Sequence, residues 1–418
     1  MLSKLLNILD NKQLRKFGIY GFGQAFNLLT PLLVLPIVIN RCGEENLGKI
    51  AVGFSIYIFF ISFIDFCSDI IGVKEVSKNR NEPDFLNKYI SKFYKIKLIM
   101  LLATLLIFSI LILSLEYFQG ENKFYFFGFT VLIGQFLNPT WILQGLEDFK
   151  RLTVFNIISK TIYIIGVYFT VIKPCDYYLV NFWFGIGLVV SSVFVILNLK
   201  NKLGLKYKKT ANIEIKDYMT TNRNIVFSQI FIWVQVYSVV VLVSFFGNKL
   251  QAGQFRVIDQ IITVFKTYAM LSFNFIFTKI CFDFTSSKKQ GFKNWKLFNG
   301  LNLCFIVVLC ILLFIYAYEV VSYFNVSNKI FLAKLLRIYL IFPFLNYVNI
   351  ALKQLLLALD LNKIYVRIIM VSTVINLSGV FVLYKFYNLN GVVYSFIFAE
   401  LLIIITSVLI LKNKRFEI

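Results

Sequence analysis

Apolar runs of about 20 residues recur along the whole chain and are separated by short polar breaks. A helix of that length crosses a hydrocarbon core of about 30 Å, and hydrocarbon accepts only segments whose backbone hydrogen bonds are satisfied internally. Twelve runs can be drawn: 17–39, 47–72, 98–115, 124–146, 153–172, 179–199, 224–246, 254–281, 298–318, 330–358, 366–385 and 391–411. The sequence therefore predicts an all-α polytopic membrane protein with twelve transmembrane helices and no separate soluble domain.

Lysine and arginine alternate from one loop to the next. When residues at span ends are counted with the adjacent loop, 29 of the 43 basic residues lie at the two termini and in the loops after even-numbered spans. Only 7 lie in the loops after odd-numbered spans. By the positive-inside rule both termini are predicted to be cytoplasmic, so the net charge of +22 is a topology signal and indicates no nucleic-acid partner.

Polar positions recur at an offset near half the chain length, as expected for an internal repeat. The matches are Gln24 with Gln229 and Gly48 with Gly253 at an offset of 205, and Asp148 with Asp360 and Arg151 with Lys363 at 212. We therefore expect two pseudo-symmetric six-helix lobes around a central cavity. The predicted boundaries are 1–200 for the N-terminal lobe, 201–223 for a cytoplasmic loop and 224–418 for the C-terminal lobe.

Several kinds of chemistry are disfavoured by residue type. The chain has no histidine, its six cysteines lack metal-ligand spacing, and it contains no phosphate-binding loop. We predict a transporter with no cofactor, no metal site and no catalytic residue.

Ionisable residues inside the predicted spans are the first candidates for a functional site, because charge in hydrocarbon is costly. On the eighth span Arg256, Asp259 and Lys266 share a polar stripe with helical spacing. Arg256 and Asp259 could simply pair at i, i+3 and join helices. That pairing would leave Lys266 without a compensating acid on its own helix, so Lys266 is the strongest single candidate for substrate binding.

Further candidates for the cavity wall are polar residues on other spans. They are Gln24 and Asn27 on the first span, Gln229 on the seventh and Lys353 on the tenth. Lys353 lies near a cytoplasmic end, where a lysine can extend to the interface without any role in binding.

Three acidic residues are candidates for ion coupling: Asp65, Asp69 and Glu400. Asp65 and Asp69 are expected one turn apart near the inner end of the second span, where they could also be merely interfacial. Glu400 is near the middle of the last span, and the sequence shows no partner for it.

The stretch LNPTWILQGLED (137–148) ends the fourth span. Pro139 is expected to bend the helix, and Trp141 to lie near the membrane interface. Residues 136–148 resemble the Pro-Trp-x-x-x-Gly fingerprint of O-antigen flippases, the Wzx-type polysaccharide transporters, and the turn 43–48 is similar to that family's first loop. A kinked helix end with an interfacial anchor is the alternative reading. The superfamily also contains multidrug exporters and lipid II flippases.

The resemblance implies a flippase that moves undecaprenyl-diphosphate-linked oligosaccharide repeat units from the cytoplasmic to the periplasmic leaflet by alternating access. It places the protein in the bacterial inner membrane, with membrane lipid and other polysaccharide-assembly membrane proteins as partners. Seven basic residues against four acidic ones within the spans favour an anionic substrate. A multidrug or small-molecule exporter on the same fold is the alternative, and a polymerase or ligase would be expected to have a larger external loop.

Overall fold

The computed structural model describes residues 11–204, 208, 211–359 and 361–413, and for some helical positions, among them 227–232, it describes only the backbone. Within these ranges the chain is almost wholly helical and has no strand. The chain divides into two compact units, Met1–Ser238 and Val239–Ile418.

The first unit is built from helices of unequal length. They are α1 (Asn11–Asp65), α2 (Val73–Lys78), α3 (Pro83–Ser114), α4 (Asn122–Phe127), α5 (Phe129–Leu137), α6 (Thr140–Gly145), α7 (Phe149–Thr170), α8 (Tyr178–Leu203) and most of α9 (Asn212–Phe246). Helix α1 contains the first two predicted spans. Gly43 separates them with a kink, where its φ of 83° is one that glycine adopts without a steric penalty. Helices α4 to α6 together form the fourth span.

The second unit receives the end of α9 and contains seven further helices. They are α10 (Lys249–Ser286), α11 (Lys288–Ile315), α12 (Ala317–Tyr323), α13 (Lys329–Tyr339), α14 (Ile341–Ala358), α15 (Asn362–Tyr387) and α16 (Leu389–Asn413). Helices α13 and α14 together form the tenth span.

The predicted membrane architecture is confirmed. In the ranges that the structure describes, nine helical segments are long and apolar enough to span a membrane, and the first of them, Gly21–Asp65, holds two spans on either side of Gly43. Helices α9 and α10 supply the seventh and eighth spans. The observed helices therefore follow the twelve predicted spans in order.

Two helices begin earlier than predicted. Helix α3 starts at Pro83, a residue suited to the first turn because its missing amide donor is not needed there. Helix α9 starts at Asn212, inside the predicted loop 201–223. The two extensions pack together: Lys88 pairs with Glu214 at 3.2 Å, and the hydroxyls of Tyr89 and Tyr218 lie 2.7 Å apart.

Trp141 is a core residue of the first unit and not an interfacial anchor. Its side chain is 2% exposed, and its ring centroid lies 4.9 Å from that of Phe93 and 6.1 Å from that of Tyr94. Gly72 allows this close approach, since a Cβ atom there would lie 2.7 Å from the indole Cε3. The expected depth near the membrane interface stays a prediction, but α3 and the segment before α2 enclose the ring, so it packs against protein and does not face the headgroups.

We expect the substitution Gly72→Ala to lower the free energy of unfolding by about 1–3 kcal/mol, the usual cost of forcing a methyl group into a packed core. Gly21→Ala is the matched control, because a Cβ atom at Gly21 meets nothing within 4 Å. The midpoint of thermal unfolding in detergent, followed by tryptophan fluorescence, gives the comparison. Equal midpoints for the two variants would contradict the packing described for Trp141.

Candidate functional site

One cluster of charged side chains lies on α10 in the second unit, and we call Arg256, Asp259 and Lys266 the α10 cluster. Lys266 Nζ lies 2.9 Å from Asp259 Oδ1, and Arg256 Nη1 lies 3.7 Å from Asp259 Oδ2. Arg256 also donates a hydrogen bond of 2.8 Å to Gln260 Oε1. One carboxylate is therefore shared by two cations.

The prediction that Lys266 lacks a compensating acid on its own helix is wrong. Asp259 is seven residues earlier, which is about two helical turns and places both residues on one face. Helical side chains point toward the N-terminus, so the long lysine extends back to the carboxylate. The alternative pair of Arg256 with Asp259 is also present, but it is the longer of the two contacts.

Aromatic rings form the wall around the α10 cluster. The ammonium of Lys266 lies 5.1 Å from the ring centroid of Phe342 and 5.5 Å from that of Phe396, both within the range of cation–π attraction. The Tyr339 hydroxyl lies 3.5 Å from Asp259 Oδ1, at the limit of hydrogen-bond distance. The Lys266 side chain keeps 28% of its surface exposed, so the lysine is not fully enclosed by the protein.

Glu400, for which the sequence shows no partner, is held by two amides of α14. Asn346 Nδ2 donates to Glu400 Oε1 at 3.0 Å, and the Asn349 amide donates to Oε2 and, at 3.1 Å, to the main-chain oxygen. The carboxylate thus joins α14 to α16 through neutral donors.

Lys353 contacts aromatic rings. Its ammonium lies 4.7 Å from the ring centroid of Phe273 and 5.5 Å from that of Tyr365. No acidic side chain of the described residues lies within ion-pair distance of it. Its assignment to a cavity wall stays a prediction.

The remaining candidates for the cavity wall stay predictions as well. Gln24 and Asn27 are half-buried on α1 in the first unit, and the buried Asn27 Oδ1 accepts no hydrogen bond from the described residues. The side chain of Gln229 and the whole of Asp360 lie outside the described residues.

A second cluster, which the sequence analysis missed, lies inside the first unit, and we call Asp65, Ser68, Lys97 and Gln135 the Lys97 cluster. Lys97 is 0% exposed and places its Nζ 3.0 Å from Asp65 Oδ1 and 3.2 Å from the main-chain oxygen of Gln135. Ser68 Oγ donates to the same Asp65 oxygen at 2.8 Å. Lys97 was counted as a loop residue, and only the early start of α3 reveals that it is buried.

The stretch LNPT creates one acceptor of the Lys97 cluster. Proline has no amide hydrogen, so Pro139 leaves the carbonyl four residues earlier, that of Gln135, without its usual helical donor. That oxygen instead accepts from the Asn138 amide at 3.3 Å and from Lys97 Nζ at 3.2 Å. Nearby, Tyr94 donates to the main-chain oxygen of Leu137 at 3.2 Å, and the Asn138 side chain accepts from the Thr140 amide at 3.0 Å. Side chains thus replace the hydrogen bonds that the break removes.

A second helix break positions Asp65. Helix α1 ends there, and the next two residues, Phe66 and Cys67, have φ values of 45° and 57°. This left-handed region is costly for residues with side chains. The chain continues as a π-helical turn, Ser68–Gly72, in which Asp69 is exposed. The expectation that Asp65 and Asp69 lie one turn apart on a continuous helix is therefore wrong, and ion coupling by either residue stays a prediction.

The turn after α6 has a Schellman geometry with glutamate at the position that glycine usually occupies. The Asp148 amide donates to the Leu143 carbonyl at 2.8 Å, the Glu147 amide donates to that of Gln144 at 3.0 Å, and Glu147 has a φ of 55°. The Glu147 carboxylate pairs with Arg80 at 3.1 Å, and both side chains are nearly half exposed.

Comparison with known proteins identifies the family to which this chain belongs. The profile of the family described as "Polysaccharide biosynthesis protein" matches residues 13–278, which is more than half of the chain. The chain belongs to this family. A protein of Escherichia coli K12 named as an O-antigen transporter is 24% identical over 140 residues, a match that spans 33% of each chain. A Shigella dysenteriae protein with the same name is 21% identical over 91% of this chain and 95% of its own length.

Two solved structures illustrate the fold that this chain shares with known membrane proteins. An inward-facing multidrug resistance MATE family transporter of the MOP superfamily has a TM-score of 0.72 at 14% identity and covers 94% of this chain and 95% of its own. The lipid II flippase MurJ in an inward closed conformation has a TM-score of 0.70 at 14% identity, covering 94% and 87%. At these identities the likeness establishes the fold, and with it the twelve-helix architecture.

We expect Glu147→Gly to be more stable than Glu147→Ala by about 1 kcal/mol, because glycine alone adopts the left-handed conformation without steric strain. Both variants lose the exposed ion pair with Arg80, which contributes little to stability. The difference in stability between the two variants therefore reports the cost of the left-handed backbone conformation at position 147. Thermal unfolding of the two purified variants measures it. Equal stability would mean that position 147 does not hold the left-handed conformation.

Proposed function

We propose that this protein flips polyprenyl-diphosphate-linked oligosaccharide units from the cytoplasmic to the outer leaflet of the bacterial inner membrane. Alternating access of a cavity is the proposed mechanism, with both termini in the cytoplasm and undecaprenyl diphosphate as the lipid carrier. The product would serve O-antigen or other surface polysaccharide synthesis. Family membership, together with relatives that are named as O-antigen transporters, supports a role in transport rather than in catalysis.

The observation that carries the proposal is the surroundings of the Lys266 ammonium. It shares one carboxylate with Arg256, the lysine side chain is partly exposed, and two aromatic rings lie beside the ammonium. Within the α10 cluster one carboxylate compensates two cations, and Glu400 acts on Lys266 electrostatically without forming an ion pair. We infer that the incompletely compensated cation attracts an anion. A diphosphate presents several oxygens that can replace Asp259 at either cation through charge-assisted hydrogen bonds. The rings offer flat apolar surface on which a sugar can pack.

The membrane potential supplies a driving force for this direction of transport. A diphosphate diester carries about two negative charges, and each charge that crosses a potential of 100 mV contributes about 2.3 kcal/mol. Outward movement from a cell interior that is negative is therefore favoured by roughly 4.6 kcal/mol per 100 mV. The potential alone is sufficient to drive flipping without ATP hydrolysis.

We expect Lys266→Ala to reduce flipping at least about tenfold, because a hydrogen bond to a charged group contributes about 1.5–3 kcal/mol. The assay uses liposomes that contain a short-sugar polyprenyl-diphosphate oligosaccharide and follows enzymatic trimming of the initially protected fraction. Lys279→Ala is the matched control: it removes another lysine of α10, one that lies over the Phe298 ring at 4.7 Å. Folding should survive in Lys266→Ala because Arg256 still compensates Asp259.

Equal flipping by the Lys266 and Lys279 variants would remove the α10 cluster as the anion site. A variant that lacks both Arg256 and Lys266 needs Asp259→Asn as well. Otherwise Asp259 would be left as an uncompensated charge, and loss of folding could be mistaken for loss of transport.

A multidrug exporter is the second candidate, and one observation favours it. The hydrogen bonds to the Glu400 carboxylate come from two neutral amides, and no basic side chain of the described residues forms an ion pair with it, so a cationic substrate can take that place. Vesicles that expel a cationic dye, with loss of export in Glu400→Gln but not in Lys266→Ala, would favour this candidate over the flippase.

A further inference from the structure

The Lys97 cluster has the composition of a site for a small monovalent cation. Its positive charge is surrounded by oxygen: one Asp65 carboxylate oxygen at 3.0 Å and the Gln135 carbonyl oxygen at 3.2 Å, with the Ser68 hydroxyl on the same carboxylate. Carbonyl oxygens freed at broken helices, together with carboxylates and hydroxyls, are the groups that coordinate sodium ions and protons inside membrane proteins. Here the helix break after Asp65 and the helix break at Pro139 both supply an oxygen that contacts the Lys97 ammonium.

We propose that Lys97 is a tethered cation, an ammonium fixed to the chain that fills a binding site for a small monovalent cation. The site therefore exchanges no ion with solution. Removal of the ammonium opens the site to a free cation of the same charge, either an alkali metal ion or a small primary ammonium. This inference concerns the first unit and does not depend on which substrate the protein transports.

Electrostatics requires some cation at this point. With Lys97 truncated, Asp65 would be a largely buried carboxylate without its counter-charge, which is strongly destabilising. The Gln135 carbonyl would also lose its charged donor and would keep only the Asn138 amide, which lies 3.3 Å away, because Pro139 cannot supply a helical donor. Protonation of Asp65 would remove the charge but would not replace this second donor.

A free cation that replaces the Lys97 ammonium needs both a route to the site and space within it. The Asp65 side chain keeps 18% of its surface exposed, whereas Lys97 has none, so an ion can approach from the Asp65 side. Truncation to alanine removes three methylene groups and the ammonium, which leaves a channel of the shape of a short alkylammonium. Ethylammonium can then donate to the same two oxygens that Lys97 uses.

Lys160 offers a matched control. It is also a lysine of a membrane helix in the first unit, but its ammonium lies 4.2 Å from the Phe184 ring centroid. None of the acidic side chains that the structure describes lies within ion-pair distance of it. Loss of Lys160 therefore exposes no carboxylate that needs a replacement cation.

The experiment measures the midpoint of thermal unfolding of the purified full-length chain in detergent at pH 8. Sodium chloride or ethylammonium chloride replaces choline chloride at constant ionic strength. The wild type, Lys97→Ala, Lys160→Ala and the double variant Lys97→Ala with Asp65→Asn are compared. We expect Lys97→Ala to melt below the wild type in choline and to gain about 2–4 °C in sodium or ethylammonium. The other three proteins should show no such gain.

A gain of the same size in Lys160→Ala or in the double variant would overturn the proposal, as would no gain in Lys97→Ala. If Lys97→Ala does not accumulate, Lys97→Gln takes its place, because the shorter amide removes the charge and keeps a donor. If neither single variant accumulates in cells grown with ethylammonium while the double variant does, the pair is a structural ion pair that no free cation replaces. The proposal is then wrong.

Discussion

The hydrocarbon of a membrane offers no hydrogen-bond partner, so a helix that breaks inside it must bring its own donors and acceptors. The first unit meets this requirement at two breaks, one after Asp65 and one at Pro139, with side chains from α3. A neutral donor, Tyr94, satisfies the Leu137 carbonyl, and a charged donor, Lys97, joins the Asn138 amide at the Gln135 carbonyl. Asp65 compensates the charge of Lys97, and it lies at the end of α1, directly before two left-handed residues. The break at Pro139 and the break after Asp65 thus meet at one side chain of α3.

The two charged clusters differ in how much freedom their cations have. The α10 cluster lies along a single helix, its three side chains are partly exposed, and its positive charges outnumber its negative charge. The Lys97 cluster joins separate helices, encloses its ammonium completely and pairs one positive charge with one negative charge. A partly exposed cation such as Lys266 can exchange one anion for another. The enclosed ammonium of Lys97, which is already paired with Asp65, cannot do so without local unfolding. For this reason we propose that the α10 cluster takes part in substrate recognition and that the Lys97 cluster stabilises the first unit.

The twelve spans could be predicted from sequence because hydropathy and the length of a membrane helix depend on local composition alone. The ion pair of Lys266 with Asp259 could also have been predicted, since a separation of seven residues returns to the same helix face. The role of Lys97 could not, because it depends on where α3 begins and on a proline in another helix. The burial of Trp141 likewise depends on the absence of a side chain at Gly72, which no local pattern reveals. Tertiary contacts between broken helices are the part of the fold that hydropathy does not encode.

The exposed ion pairs of the first unit change how its basic residues meet the membrane surface. Arg80 lies against Glu147, Lys88 against Glu214 and Lys208 against Asp84. Such pairs add little to stability, but they cancel much of the field that each lysine or arginine would project onto anionic headgroups. The positive-inside rule acts on the chain during insertion, before distant residues meet. We therefore propose that the basic residues that set the orientation during insertion are partly neutralised by these ion pairs once the chain has folded.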